Sequence, residues 1–435
     1  MKTKLLRGRV LDFVAEPQSI DDSSAYRYFE DGAVLLSGGK IAACGEWSDI
    51  RGKMPEDCPV ADHRPHLILP GLIDPHIHFV QMQVVASYAA NLLEWLNTYT
   101  FVEEQKFADP EHGARIAEAF FDTLVRHGTT TAAAYCSVHG ASAEAFFAEA
   151  EKRNMAMIGG KCMMDRNCPE ALRDSPQQGY DETKALIEKW HGRGRANYAI
   201  TPRFAITSTP AQMEMVQALI DEFPDAYVQT HLSENSEEIA FTMELYPEHP
   251  DYLGVYEYYG LLGNKSLFGH AIHLSDREVG MMAETASVAV SCPTSNLFLG
   301  SGLFDHDLLN NAGVPIGVAT DIGGGTSFSM LKTMDEFYKI QQLHGQRFNP
   351  LMAFYRMTLG NARALLLADR IGTLEAGSDA DIVALNAQAT PEMALRYQSV
   401  SSLSEELFLL QTLGDDRAVV ETYVSGKPMK AGLGE

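Results

Sequence analysis

The chain has 435 residues, of which 46% are hydrophobic, 21% charged and 9% aromatic, a composition that suits a folded globular protein with one large domain and a smaller one. Acidic side chains outnumber basic ones 58 to 34, for a formal net charge of −24, which argues against nucleic acid and anionic membranes as partners, since both require a basic surface. Six scattered cysteines with no C-x-x-C pair predict a reduced, cytoplasmic protein without a disulfide framework, and no apolar run reaches the roughly 18–20 residues of a membrane helix.

Residues 1–66 read as short strands joined by turns: KLLRGRVLDF, the acidic loop SIDDSS, and AVLLSGGKIAACG around Gly38 and Gly39. A similar texture returns in IGTLEAGSDADIVALNA and RAVVETYVSGKPMKAG. Residues 1–66 and 371–435 are therefore expected to pair into a small β-sandwich domain built from both chain ends. Between them, in 67–370, strand-like runs alternate with helical patterns, the signature of repeated β/α units. The first run is LILPGLIDPHIHF; the others begin at Thr129, Met155, Asn197, Ala226, Ser266, Ser287 and Val314. Eight such runs over this length predict an α/β fold, a (β/α)8 TIM barrel. The stretch at about 80–110, carrying Trp95, Tyr99 and Phe101, is long for a strand-to-helix link and reads as a lid or substrate wall.

The barrel reading locates the chemistry, because strand C-terminal ends converge on one face. Those ends carry His76 and His78, Arg203, His231, His270 with His273, and Asp321. His76 and His78 are two apart on a strand, so both imidazoles can aim at one point. Three histidines and one aspartate complete a zinc shell once a water is added. Asp321 ends the apolar run IGVATD, where a carboxylate is costly to bury without a metal or partner. Glu234, three residues after His231, reaches that water without being an obvious ligand. Of His270 and His273, His270 is the expected functional residue. The fork of Arg203 suits a carbonyl or ring nitrogen. Gly323, Gly324 and Gly325 lack the Lys-Ser/Thr of a phosphate loop, so close packing beside Asp321 is expected of them.

PGLIDPHIHF, THLSEN, GHAIHLSD, SCPTSN, ATDIGGG and IGTLEAGSDADIV resemble the amidohydrolase superfamily over nearly the whole chain. The pattern is similar to its mononuclear zinc branch, since the fourth strand ends in Arg203 and offers no lysine for a carbamate between two metals. HFVQ, LLEWLNTYTFVEE and TPRFAIT resemble the guanine-deaminating members. The resemblance implies a homodimer with one zinc per chain, Fe2+ or Mn2+ being the less favoured metals, and hydrolytic deamination of guanine to xanthine. It implies zinc ligation by His76, His78, His231 and Asp321, with Asp321, Glu234 and His270 as catalytic groups. It also implies that Gln81, Arg203 and Phe204 bind the base. Other readings stay open on the letters alone: a related deaminase or chlorohydrolase acting on another purine, a pyrimidine, an adenosyl thioether or an s-triazine, or a catalytically inactive metal-binding barrel.

Overall fold

Residues 3–88 and 92–433 are described in the computed structural model. Strands β1 (Lys4–Phe13), β2 (Tyr26–Ser37), β3 (Lys40–Glu46) and β4 (Val60–Pro70) come first, then β5 (Leu72–His78), β6 (Thr129–Cys136), β7 (Ala156–Met163) and β8 (Ala196–Pro202). They are followed by β9 (Tyr227–Leu232), β10 (Ser266–His270), β11 (Val288–Ser291) and β12 (Ile316–Val318), and last by β13 (Ile382–Leu385), β14 (Val419–Val424) and β15 (Lys427–Pro428).

Both chain ends build one seven-stranded sheet, ordered β15-β14-β13-β4-β1-β2-β3. Here β13 pairs antiparallel with β4, with Val383 opposite Leu69, so the C-terminal strands join the N-terminal ones as their shared texture predicts. The sheet buries Leu6, Val10, Val34, Ile68 and Ile382 in one apolar cluster.

The remaining eight strands form the second sheet in strict sequence order from β5 to β12. From β7 to β12 every neighbouring pair is parallel. This is the eight-stranded β/α barrel that the strand count predicts. One expected strand divides: LILPGLIDPHIHF is the end of β4 followed by β5. The backbone changes partners there, since Gly71 N–H donates to Asp381 O and Leu72 N–H to Gly128 O.

The helices between barrel strands begin where capping chemistry begins them. Ser175 and Thr209 accept backbone hydrogen bonds ahead of Pro176–Trp190 and Pro210–Glu222, each with proline in its first turn. Asn235 and Ser275 form capping boxes with Glu238 and Glu278. Residues 79–84 and 92–108 hold short helical turns, and residues 89–91 of the expected lid lie outside the described residues. The chain separates into two compact units, one of residues 1–74, 122–131 and 328–435, the other of 75–121 and 132–327. Every candidate site residue falls in the second.

Candidate active site

The strand ends deliver the side chains to one place. His76 and His78, both buried, share a face of β5. His231 lies on β9 opposite Gly269 of β10. A Cβ on Gly269 would stand 2.4 Å from His76 Cε1, so only glycine leaves room for that ring. His270 and Asp321 hold left-handed backbone conformations, with φ of 70° and 51°. For residues other than glycine this conformation costs on the order of 1–3 kcal/mol and persists where the surroundings enforce it.

Four donor atoms converge. His76 Nε2 and His78 Nε2 each lie 3.3 Å from Asp321 Oδ1, and His78 Nε2 lies 3.2 Å from His231 Nε2. A tetrahedron with metal–nitrogen bonds of about 2.0–2.1 Å has edges of about 3.3 Å, so these separations suit one small divalent cation. The tautomer of His231 also suits it: Nδ1 lies 2.7 Å from the carbonyl oxygen of Arg203 and donates to it, leaving the Nε2 lone pair for a metal. Burial pushes His76 down to about 4 and lowers His78 and His231 as well, so the imidazoles stay neutral, as ligation requires. Burial acts against the charge on Asp321, yet the adjoining imidazoles of His76 and His78 hold its carboxyl well below the usual range.

A proton-handling pair stands beside the donors. His270 Nε2 lies 3.4 Å from Glu234 Oε2 and 3.8 Å from Asp321 Oδ2. Its Nδ1 is 2.8 Å from Asn296 Oδ1, the acceptor that fixes the ring. Burial disfavours the imidazolium, but the two carboxylates outweigh it and raise the His270 pKa. Burial raises Glu234 above the usual carboxylate range, against the pull of His270 and of Ser301 Oγ, which donates to Glu234 Oε1 at 2.7 Å. His273 is not in the cluster; its Nε2 bonds the carbonyl of Ser301 at 2.8 Å and supports that loop.

A cavity opens on these groups, with Gln81, Arg203 and Phe204 on its wall beside Trp95 and Leu96. All the expected site residues are thus brought together: His76, His78, Gln81, Arg203, Phe204, His231, Glu234, His270 and Asp321. The glycine run packs as expected, since a Cβ on Gly323 would lie 2.7 Å from Gln81 O. Arg203 is less open than its strand-end position suggests, because its Nη1 donates to both oxygens of the buried Glu104, at 2.9 and 2.8 Å.

Five polar residues escape the strand-end reading: Glu104, Glu238, Cys292, Asn296 and Ser301. All but Ser301 lie in or beside a stretch that the sequence marks. Glu104 closes LLEWLNTYTFVEE, Cys292 and Asn296 sit in SCPTSN, and Glu238 is three residues after the cap Asn235. The Cys292 thiol belongs to a donor group with His76, His270 and Asp321, all within 4.8 Å of one another.

Known proteins resemble this chain along its length. The amidohydrolase family model matches residues 67–429. Guanine deaminase of Escherichia coli (strain K12) is 46% identical over 427 residues, 98% of this chain and 97% of that protein. A solved structure of E. coli guanine deaminase superposes with a TM-score of 0.95 at 45% identity, covering 99% of both chains. The guanine deaminase from C. acetobutylicum, solved with guanine bound in its active site, gives 0.87 at 29% identity, covering 98% of this chain and all of that one. With its barrel, its strand-end histidines and aspartate, and relatives that match it from end to end, the chain belongs to the amidohydrolase family.

Proposed function

We propose that this chain hydrolyses guanine to xanthine and ammonia, with one zinc ion held by His76, His78, His231 and Asp321. The observation that carries the reading is the placement of Glu234 and His270 beside the four converging donors, in a chain whose full-length relatives are guanine deaminases. Zinc in that donor set supplies Lewis acidity that brings the pKa of water down to about 7.

The chain's own residues handle substrate and protons. Arg203 and Gln81 hydrogen-bond the base, and Phe204 lies against its apolar face. Asp321, kept anionic by its histidine partners, accepts a proton from the attacking water. Glu234, raised by burial, holds a proton and delivers it to the ring nitrogen beside C2 as the new C2–O bond forms. The hydrogen bond to Asn296 orients His270, whose Nε2 donates to the attacking oxygen and stabilises its developing charge. When the C2–amine bond breaks, the proton taken by Asp321 reaches the leaving nitrogen through Glu234, the proton left on the C2 hydroxyl passes back to Glu234 as the carbonyl forms, and ammonia departs with both carboxyl groups restored.

The resemblance also supports a homodimer. The six free cysteines and the lack, among the described residues, of a helix long and apolar enough to cross a membrane accord with a cytoplasmic location. The test is turnover by the zinc-loaded protein of guanine, adenine, cytosine, adenosyl homocysteine and a chlorinated triazine. Ammonia release is followed for the first four and chloride release for the last. Guanine is expected to be the substrate turned over; preferred turnover of another member, or none at all with one metal bound per chain, overturns the reading.

A further inference from the structure

Glu104 is fully buried at the end of the short helix Phe101–Glu104 and does not reach the cavity surface. It nevertheless holds two residues that do. Its Oε1 accepts hydrogen bonds from Gln81 Nε2 at 2.8 Å and Arg203 Nη1 at 2.9 Å, and its Oε2 accepts a second bond from Arg203 Nη1 at 2.8 Å. Its own backbone is tied down, since Ser137 Oγ, just past β6, donates to the Glu104 carbonyl at 3.0 Å. The Arg203 guanidinium also lies over the Phe101 ring, 5.4 Å from the ring centroid.

This arrangement leaves the Gln81 amide one orientation. A carboxylate only accepts hydrogen bonds and a backbone N–H only donates them. The amide nitrogen must therefore face Glu104, and the amide oxygen must face Gly323 N–H, which donates to it at 3.3 Å. With its oxygen turned toward Gly323 N–H and its nitrogen toward Glu104, Gln81 keeps its second N–H to offer a ligand. Arg203 has no acceptor at all and offers its remaining N–H groups. This wall of the cavity is therefore rich in donors.

We propose that Glu104 is a positioning residue that gives the base-binding wall its donor-rich character and so selects purines bearing an oxo group over those bearing an amino group at that edge. The proposal rests on the guanine reading above and adds the source of its selectivity. An amino group set against this wall would place N–H against N–H and strip buried donors of their acceptors, a mismatch that sites of this kind reject strongly. Without the Glu104 carboxylate, the Gln81 amide is free to turn its oxygen inward and accept from such an amino group, and Arg203 loses its tether.

The test compares guanine with 2,6-diaminopurine, which carries the same 2-amino leaving group but an amino in place of the oxo group at C6. Zinc-loaded wild type, Glu104→Gln and Glu104→Asp are measured for both substrates, with metal content and folded fraction determined for each. In Glu104→Gln, KM for guanine should rise at least about tenfold while kcat per bound metal falls less than about fivefold. The preference in kcat/KM for guanine over 2,6-diaminopurine should drop at least about tenfold. Glu104→Asp, which keeps the charge but withdraws it by one methylene, should lie between, and it carries the test if Glu104→Gln does not fold. A purely structural role would lower the folded fraction and leave KM and the preference unchanged. Either folded variant with both values within about twofold of wild type overturns the proposal, whereas a wild type inactive on guanine overturns the parent reading instead.

Discussion

The backbone N–H of Asp321 donates to the carbonyl oxygen of His76 at 2.9 Å, while their side chains approach to 3.3 Å between Oδ1 and Nε2. A second backbone bond, from His78 N–H to Ile322 O, runs beside the first. β5 and β12 are the two outer strands of the eight-stranded sheet, so the chain closes its barrel at the residues that offer metal donors. Backbone closure and side-chain convergence are thus separable, and Asp321→Asn tests them separately. The backbone bond survives this substitution; the carboxylate does not. The variant should fold with a wild-type circular dichroism spectrum, bind well under one metal per chain by atomic emission, and lose about 10³-fold or more in kcat. A variant with full metal occupancy and turnover within tenfold of wild type would remove Asp321 from both roles.

Glu234 stands apart from the donor cluster and is held by Ser301 and His270. Glu234→Gln keeps the shape and the hydrogen bond from Ser301 but can neither hold nor release the proton. Metal content should stay at one per chain, and kcat should fall by about 10²–10⁴-fold, the range of a lost general acid–base group. In the wild type, burial keeps Glu234 protonated to higher pH than an ordinary glutamate. Since it acts in its acid form, turnover should decline as pH rises through its elevated pKa. A Glu234→Gln enzyme at near-normal rates would show that the proton travels by another route.

Most of this arrangement is legible in the letters because metal-site chemistry and strand periodicity are both local. His76 and His78 announce a shared strand face by their spacing. Once the eight strands are counted, His231, His270 and Asp321 fall at strand ends without any knowledge of contacts. Glu104 and Ser301 were not legible in this way. Their roles depend on partners 99 and 67 residues away, and nothing about a glutamate in a helical turn or a serine between glycines indicates such a partner. The division of LILPGLIDPHIHF was hidden for a related reason: the end of β4, from Leu67 to Pro70, and all of β5 are buried in one unbroken run, and periodicity cannot show where the backbone changes sheets.

Gly269 offers a steric test of the donor cluster. Because a Cβ there would fall 2.4 Å from His76 Cε1 and 2.8 Å from His76 Nδ1, Gly269→Ala must displace the ring from its place among the donors. Overpacking of this kind destabilises by about 1–3 kcal/mol, and the larger effect should be on the metal. Zinc affinity measured by competition with a chromogenic chelator should fall at least about tenfold, and kcat should follow the loss of bound metal. Unchanged affinity in Gly269→Ala would mean that the His76 ring is not confined where the metal reading requires it.

Glu238 makes the stability of the chain depend on pH in a direction that can be worked out. Its Oε2 accepts the backbone N–H groups of Glu234 at 2.7 Å and Asn235 at 3.2 Å, closing the capping box of helix Ser236–Leu245. Burial, joined by the charge of Glu234, pushes its carboxyl up to about 7 from the ordinary 4.5, against opposing hydrogen bonds from Tyr252 and Asn235. Below 4.5 folded and unfolded chains both carry the proton. Between 4.5 and about 7 the unfolded chain has released it and the folded chain has not, so stability falls as pH rises through this window. Above about 7 the loss is complete, at about 3 kcal/mol for a shift of this size. Glutamine at 238 keeps a capping acceptor but has no proton to release, so Glu238→Gln should match wild type near pH 4.5 and become the more stable protein as pH rises to 7 and beyond. Thermal unfolding midpoints of the zinc-loaded pair at pH 5, 6, 7 and 8 measure the difference directly. A gap that stays constant across that range would show that Glu238 is ionised in the folded chain throughout, held so by its hydrogen bonds.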